Sequence, residues 1–369
     1  MSIKNELSTL PSKDNTNFFV RVLKYFVPWR GDTFSDLVRK FVFVVSLVVF
    51  GVCVSQLVDF YYGVDEADQD IINIRDLAPS ADKEPATLDP NVNAPDEMLP
   101  IWYDIYSINQ DTIGWIKIDT FRADPKDENT CYVNYPVMQT NDNDFYLYRD
   151  VYKNYVYGSS GTLFADYYIP ITGYDRADNI VIYGHNMRSL GVKFTHLHEY
   201  KTGVDFLKSN PIIDFDTLYT QGDRYIIVSA FIGTSDESLD DEEMFDYWRY
   251  SNFTENTLSA DATDEEKKEA EEDHYSFKNF YKGITERSWY SSDIKCTKDD
   301  EYISLSTCSN EVKGLRWVIT ARKIREDETE DDVKKMIASY KKRNDADINL
   351  PSSWVNTWGQ VTMYKGWWY

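Results

Sequence analysis

The sequence predicts a mainly β domain with helical decorations, a barrel or a sandwich, preceded by one N-terminal transmembrane helix. Two observations carry this prediction. Residues 41–58, FVFVVSLVVFGVCVSQLV, contain no charged side chain and are long enough to cross a hydrocarbon core as a helix. Beyond residue 100, short β-rich runs are separated by polar turns with few helical segments between them, a pattern typical of barrels and sandwiches.

The first 62 residues are predicted to form a basic cytoplasmic segment, 1–40, and a transmembrane anchor, 41–62. Bases outnumber acids before residue 41, and basic flanks of membrane helices stay in the cytoplasm. Tyr61 and Tyr62 follow the apolar run, where interfacial aromatic side chains are common. The run is longer than an ordinary signal-peptide core and no clear cleavage site follows it. We therefore expect a retained anchor rather than a cleaved signal peptide or a buried core helix.

The rest of the chain is then extracellular. Residues 63–99 are rich in Asp, Glu, Ala and Pro, which indicates an acidic tether that buries little surface. A β-rich domain is predicted over 100–324. Its strand-like runs are DTIGWIKID, CYVNYPVMQ, GTLFADYY, NIVIYGHN, RYIIVSAFIG, YISLSTC and RWVITARKI. Helical spacing marks FTHLHEYKTGVDFLKSNP and SFKNFYKGITERSWY between them.

Two further regions have a distinct composition. An insertion over about 236–273 holds acid blocks around a few aromatic residues, and we expect it to be a solvated face. The extension 325–369 begins with a charged helix-like part and ends in four tryptophans. This aromatic end packs on the domain, lies at the membrane interface, or caps a groove. Packing is the alternative that the sequence favours.

Charge and cysteine content narrow the function. The net charge of −23 excludes nucleic acid as an expected partner, because a phosphate backbone would be repelled. Four cysteines are present, and Cys53 lies in the apolar run. The odd number left outside, Cys131, Cys296 and Cys308, implies at least one thiol that is free or paired between molecules. Cys131 and Cys296 either pair with each other or are buried thiols.

Three side chains suggest nucleophilic chemistry. Cys308 ends one strand-like run, Arg316 opens the next after a short loop, and His185 follows a strand and a glycine. A thiolate can serve as nucleophile, a histidine can move the proton, and an arginine can stabilise developing negative charge. Structural roles for the cysteine and the histidine are the alternative. A metal site at His196 and His198 is not expected, since residues two apart on a helix face different directions.

The chain resembles the sortases in the motif LSTC followed eight residues later by Arg316, with YGHN upstream. Four segments resemble class B of that family in the same order: DTIGWIKID, YPVMQTNDNDFYL, GTLFADY and NIVIYGHNM. A long insertion before the cysteine strand is also similar. The resemblance covers about residues 100–324. Ser304 stands where the family motif usually has threonine.

This resemblance implies an eight-stranded sortase-like β-barrel, with Cys308 as nucleophile, His185 as general acid/base and Arg316 as oxyanion or substrate clamp. It also implies that Asn143, Leu147, Tyr183 and Ser306 line the groove for a sorting signal, although core packing equally explains an apolar residue such as Leu147. The implied enzyme is a membrane-anchored transpeptidase that needs neither a metal nor another cofactor.

The implied substrates are secreted proteins with a C-terminal sorting signal, cleaved at a Thr–Asn or Thr–Gly type bond. The acceptor amine comes from a cell-wall precursor or, alternatively, from a pilin lysine. Two other functions stay open from the residues alone. One is a hydrolytic cysteine protease, and the other is a membrane-anchored binding protein with a dormant site.

Overall fold

The computed structural model describes residues 18–79, 87–124, 126, 131–156, 161–173, 176–187, 192–234, 245–253 and 275–362. The chain divides into two units, residues 1–62 and 63–369.

The first unit consists of helices. A short helix, Phe18–Phe26, precedes a long one that begins at Phe34 and ends at Arg75, past the limit of the unit. Within its stretch Phe34–Tyr62, an 18-residue window has a mean hydropathy of 2.6, and none of that window is buried. The exposed apolar surface argues against a core helix. Length and composition agree with one membrane span, a test that a signal sequence also passes.

The second unit is built on a closed barrel of eight strands. The strands are β1 Thr112–Lys117, β2 Asn134–Met138, β3 Leu163–Ala165, β4 Asn179–Tyr183, β5 Ile212–Thr217, β6 Arg224–Thr234, β7 Tyr302–Cys308 and β8 Leu315–Lys323. Their order around the barrel is β1-β2-β3-β4-β7-β8-β6-β5, and β5 closes the ring on β1. The predicted mainly β fold is confirmed, and of the two architectures expected from the residues the barrel is the one that forms.

Only two contacts in the ring are parallel, β2 with β3 and β4 with β7. In the β4–β7 pair, nearly every residue of both strands is buried. This burial accounts for the apolar run Ile180–Ile182 of β4, as is usual for parallel strands covered on both faces, whereas β7 also buries Ser304, Ser306 and Thr307. β5 instead alternates, with Ile213 and Phe215 buried on one face and Asp214 and Asp216 half-buried on the other.

Helices and two short strand pairs decorate the barrel. Among the described residues of this unit after Arg75, the α-helices are Tyr103–Ile108, Val204–Ser209, Phe277–Arg287, Glu330–Ser339 and Ser352–Trp358. Turns of 3-10 helix cover Pro100–Trp102, Phe145–Leu147, Thr195–Lys201, Tyr247–Arg249 and Asp345–Asp347. The paired two-residue strands are Asn186–Met187 with Val192–Lys193, and Tyr290–Ser291 with Lys341–Lys342.

The helix Phe277–Arg287 shows why these sequences are helical. The Ser276 side chain accepts a hydrogen bond from the Asn279 N–H and so caps the first turn. Phe280, Ile284 and Arg287 are buried at spacings of three and four, which places them on one face of the helix.

Some segments outside the predicted domain 100–324 contribute to its core. Ile74 and Met98, both within the predicted tether 63–99, are buried. Trp354 of the predicted extension is also buried, and its ring centroid lies 6.0 Å from that of Trp289. This contact agrees with the packing alternative for the extension. Trp367 and Trp368 lie outside the described residues.

The insertion 236–273 is described only over 245–253. There Phe245, Tyr247 and Tyr250 are buried in the core rather than exposed on a solvated face. The expectation of a solvated face is therefore wrong for this part, because its aromatic residues outweigh the neighbouring acids in deciding where the segment lies.

Candidate active site

Cys308 and Arg316 are direct partners across the β7–β8 pair. Arg316 Nη1 donates a hydrogen bond to Cys308 Sγ at 3.0 Å. The loop between them turns tightly because Asn310 and Gly314 adopt left-handed backbone conformations, with φ of 61° and 85°. This contact places the guanidinium beside the sulfur, where it can stabilise negative charge on the reacting atoms.

His185 follows β4, the parallel neighbour of β7. Tyr183 is in register with Ser306, and the Gly184 N–H donates to the Ser306 carbonyl. Gly184 leaves no room for a side chain, since a Cβ there would lie 2.4 Å from Leu163 and 2.5 Å from Phe194. The close approach of the two strands therefore brings His185 to the end of the barrel at which β7 presents Cys308.

The His185 ring is held in a largely buried position. Its Nε2 lies 2.9 Å from the Leu147 carbonyl, to which it donates in the tautomer protonated at Nε2. Burial lowers the pKa of His185, and the charges of Lys193 and Arg316 lower it further, against the opposing effect of the Leu147 carbonyl. The neutral imidazole is thus favoured in the protein without substrate.

All seven site residues predicted from the sequence line one cavity of about 470 Å³. They are Cys308, His185, Arg316, Asn143, Leu147, Tyr183 and Ser306. The cavity can hold an extended peptide segment against the thiol, with the imidazole and the guanidinium beside it.

The polar groups expected to bind substrate are themselves held by neighbours that the sequence did not reveal. Asp166 accepts hydrogen bonds from Tyr183 Oη at 2.9 Å and from Asn143 Nδ2 at 3.1 Å. Ser306 Oγ lies 2.6 Å from the hydroxyl of Tyr247. Asp166 and Tyr247 also line the cavity. Their roles depend on contacts between distant segments, and no local sequence signal marks them.

Burial raises the pKa of Tyr183 well above its usual value, and nearby Tyr247 and Asp166 raise it further. Burial also raises the pKa of Tyr247 to about 12, although its bond with Ser306 and the charge of Arg316 oppose the shift. Both phenols therefore stay protonated at neutral pH and remain hydrogen-bond donors in the cavity wall.

The other histidines lie in different surroundings. His196 stacks on the ring of Tyr132 at a centroid distance of 3.8 Å. His198 is fully buried, and its Nε2 lies 3.0 Å from the Cys308 carbonyl oxygen. His274 lies outside the described residues. Within the described parts of the chain, no group of three or more His, Cys, Asp or Glu side chains is arranged to hold a metal ion.

The remaining cysteines are free thiols, so the Cys131–Cys296 pairing left open above does not form. Burial raises the pKa of Cys131, and it raises the pKa of Cys296 to about 11. Both thiols are therefore protonated and unreactive at neutral pH.

Comparison with known proteins identifies relatives of one kind. Sortase B of Listeria monocytogenes serovar 1/2a is 28% identical over 230 residues, which cover 62% of this chain and 74% of that protein. Sortase B of Staphylococcus aureus is 24% identical over 215 residues, 58% of this chain and 70% of that protein. No family model matches the chain.

Solved structures agree in fold. The crystal structure of sortase B from B. anthracis has a TM-score of 0.50 and 21% identity, and the match covers 73% of this chain and all of that one. A mutant form of Clostridium perfringens sortase B has a TM-score of 0.50 and 22% identity, with 70% and 98% covered. These findings confirm the resemblance to the class B sortases and support a sortase transpeptidase family.

Proposed function

We propose that this chain, a class B sortase by sequence and fold, is a membrane-anchored cysteine transpeptidase that cleaves a C-terminal sorting signal and transfers the acyl group to an amine. The observation that carries this proposal is the cavity in which the Arg316 guanidinium contacts the Cys308 sulfur at 3.0 Å beside His185.

In the first half of the reaction, the Cys308 thiolate attacks the carbonyl carbon of a Thr–Asn or Thr–Gly type bond. Arg316 stabilises the oxyanion that develops on that carbonyl. His185 takes the proton of the Cys308 thiol before the attack and gives it to the departing amine. The products are a thioester on Cys308 and the released C-terminal fragment.

In the second half, an amine attacks the thioester carbonyl and His185 accepts its proton. The new amide leaves, and Cys308 returns as a thiolate. We propose a cell-wall precursor as the source of this amine. A pilin lysine is the alternative source. Nothing in this sequence of steps requires a metal or another cofactor.

The proposed location follows from the N-terminal helix. The stretch Phe34–Tyr62 would cross the cell membrane once, with the basic N-terminal segment in the cytoplasm and the barrel outside. This topology brings the barrel to the surface where secreted proteins and wall precursors are present.

A product analysis tests the proposal. The full chain in detergent micelles is incubated with a panel of sorting-signal peptides and with either a wall-type glycine amine or a lysine-containing peptide. The proposal predicts cleavage with an amide product of the expected mass, and the preferred amine identifies the acceptor. Cleavage that yields only the free acid in the presence of both amines would indicate a hydrolase, and an intact panel would indicate a dormant site.

A further inference from the structure

A buried group of three ionisable side chains lies behind the cysteine proposed as nucleophile. This charge cluster consists of His198, Lys201 and Glu311, whose side chains are 1%, 4% and 5% exposed. Lys201 Nζ lies 2.9 Å from Glu311 Oε1, and His198 Nδ1 lies 3.7 Å from the same oxygen. None of the three is among the described residues that line the catalytic cavity.

The charges of this cluster depend on one another. Burial alone would raise the pKa of Glu311, but His198 and Lys201 lower it well below its usual range. Glu311 is therefore ionised, and Lys201 and His198 stabilise its carboxylate. Burying ions is costly, and removing one partner leaves another buried charge uncompensated. A contribution to stability alone therefore does not account for such a cluster. Its contacts with the segments that carry the active-site side chains indicate a second role.

On one side, the cluster contacts the backbone of the nucleophile. His198 Nε2 lies 3.0 Å from the Cys308 carbonyl oxygen, and Asn186 Nδ2 donates to the same oxygen at 2.9 Å. The Asn186 amide is also 2.9 Å from His198 Nε2. Because Asn186 directly follows His185, this network joins the backbones that carry the cysteine and the histidine.

On the other side, the cluster contacts the segment that carries the arginine. Glu311 belongs to the loop that connects Cys308 with Arg316. Lys201 Nζ lies 4.9 Å from the ring centroid of Trp317, the residue after Arg316, and 5.7 Å from that of Trp354. The cluster therefore contacts the backbone of Cys308, the residue that follows His185 and the residue that follows Arg316.

We propose that the charge cluster of His198, Lys201 and Glu311 is a positioning device, which holds Cys308, His185 and Arg316 in their reactive arrangement without touching the substrate. This inference rests on the proposed function. A displacement of about 1 Å at a reacting group can lower a rate by about a hundredfold. A cluster that fixes the cysteine backbone and the arginine loop is therefore expected to act on kcat more than on KM.

The test neutralises Glu311 with little change of shape. We expect Glu311→Gln to lower kcat for transpeptidation at least tenfold, while KM for the peptide changes less than threefold. The matched control is Glu328→Gln. The two carboxylate oxygens of Glu328 accept hydrogen bonds from Arg322 Nη2 at 2.8 and 3.0 Å. Arg322 is fully buried and belongs to the same strand as Arg316. It lies six residues along the strand from Arg316, a distance of roughly 20 Å. This control is expected to lower the melting temperature with kcat unchanged.

A double variant separates positioning from folding. Lys201→Met in the Glu311→Gln background removes the uncompensated charge, so we expect the melting temperature to recover while kcat stays low. Recovery of both quantities would overturn the proposal, as would an equal loss of kcat in Glu328→Gln.

A second readout does not depend on turnover. Because Arg316 Nη1 donates a hydrogen bond to Cys308 Sγ at 3.0 Å, a displaced loop removes a donor that stabilises negative charge on the reacting sulfur. We expect alkylation of Cys308, followed by peptide mass, to slow at least threefold in Glu311→Gln and to be unchanged in Glu328→Gln. Equal alkylation in all three proteins would overturn the positioning role. A wild-type protein that transfers nothing would refute the proposed function, and this comparison would still decide the role of the cluster.

Discussion

At the residue scale, the function of Arg316 depends on the geometry of its side chain, because its Nη1 donates a hydrogen bond to Cys308 Sγ at 3.0 Å. We predict that Arg316→Ala lowers kcat/KM on the order of a hundredfold or more, by loss of an oxyanion donor. Arg316→Lys should recover little of this loss, since a lysine lacks the planar fork of donors. Steady-state kinetics with the preferred peptide and amine measure both values. Full activity in Arg316→Lys would mean that charge alone is sufficient.

A second prediction at this scale concerns His185 and pH. Its pKa is lowered in the folded protein by burial, whereas a histidine in the unfolded chain titrates near 6.5. As the pH falls through 6.5, the unfolded state gains a proton that the folded state resists, so this residue favours unfolding. We therefore expect His185→Gln to lose less melting temperature than the wild type between pH 7.5 and pH 5.5. An equal loss in both proteins would contradict the assigned direction.

At the scale of elements, strand β5 carries two carboxylates in unfavourable surroundings. Burial raises the pKa of both Asp214 and Asp216 to about 6. Each group is more easily protonated in the folded state than in the unfolded one, so its stabilising effect is present at low pH and is lost as pH rises towards 6. Asparagine resembles the protonated acid and can keep the Asp216 Oδ1 bond to the Asp223 N–H, now 2.8 Å.

We predict that Asp216→Asn raises the melting temperature at pH 7.5 and has little effect at pH 4. Scanning calorimetry at the two pH values measures the difference. Asp142→Asn, on an exposed loop, serves as a control for the loss of one negative charge. A stabilisation that is the same at both pH values, or that the control reproduces, would show that burial of Asp216 is not its cause.

The elements that carry the catalytic side chains are also the ones that the sequence predicts best. The runs NIVIYGHN and YISLSTC are β-rich and place His185 and Cys308 at strand ends, so both side chains stand out from the residues alone. Asp166 and Tyr247 do not, because their function depends on hydrogen bonds to Tyr183 and Ser306 from separate segments. Burial of this kind is decided by the tertiary fold.

His198 and Glu311 illustrate the same limit. In the sequence, His198 suggests at most a metal ligand, and Glu311 is one acid among 62 acidic residues. Only the barrel brings a 3-10 helix and the β7–β8 loop together, so that a histidine and a glutamate share a buried site with Lys201.

At the scale of the whole molecule, the C-terminal extension belongs to the folded unit. Trp354 is 1% exposed and packs on Trp289, which in turn packs on Trp317 at 4.8 Å. We predict that Trp354→Ala lowers the free energy of unfolding by about 3 kcal/mol, as is typical of a buried aromatic residue. Trp358→Ala, in the same helix and only partly buried, should cost clearly less. Denaturant unfolding of the two variants compares them, and equal losses would contradict the special position of Trp354.

The central claim is that Cys308 carries the acyl group of a sorting signal as a thioester. The most direct measurement is the intact mass of the full-length protein after incubation with a sorting-signal peptide and no amine acceptor, followed by peptide mapping. We predict a mass increase equal to the acyl fragment, located on Cys308, discharged by added amine and absent in Cys308→Ala. Peptide cleavage without any adduct on Cys308, or an adduct that Cys308→Ala retains, would contradict the account.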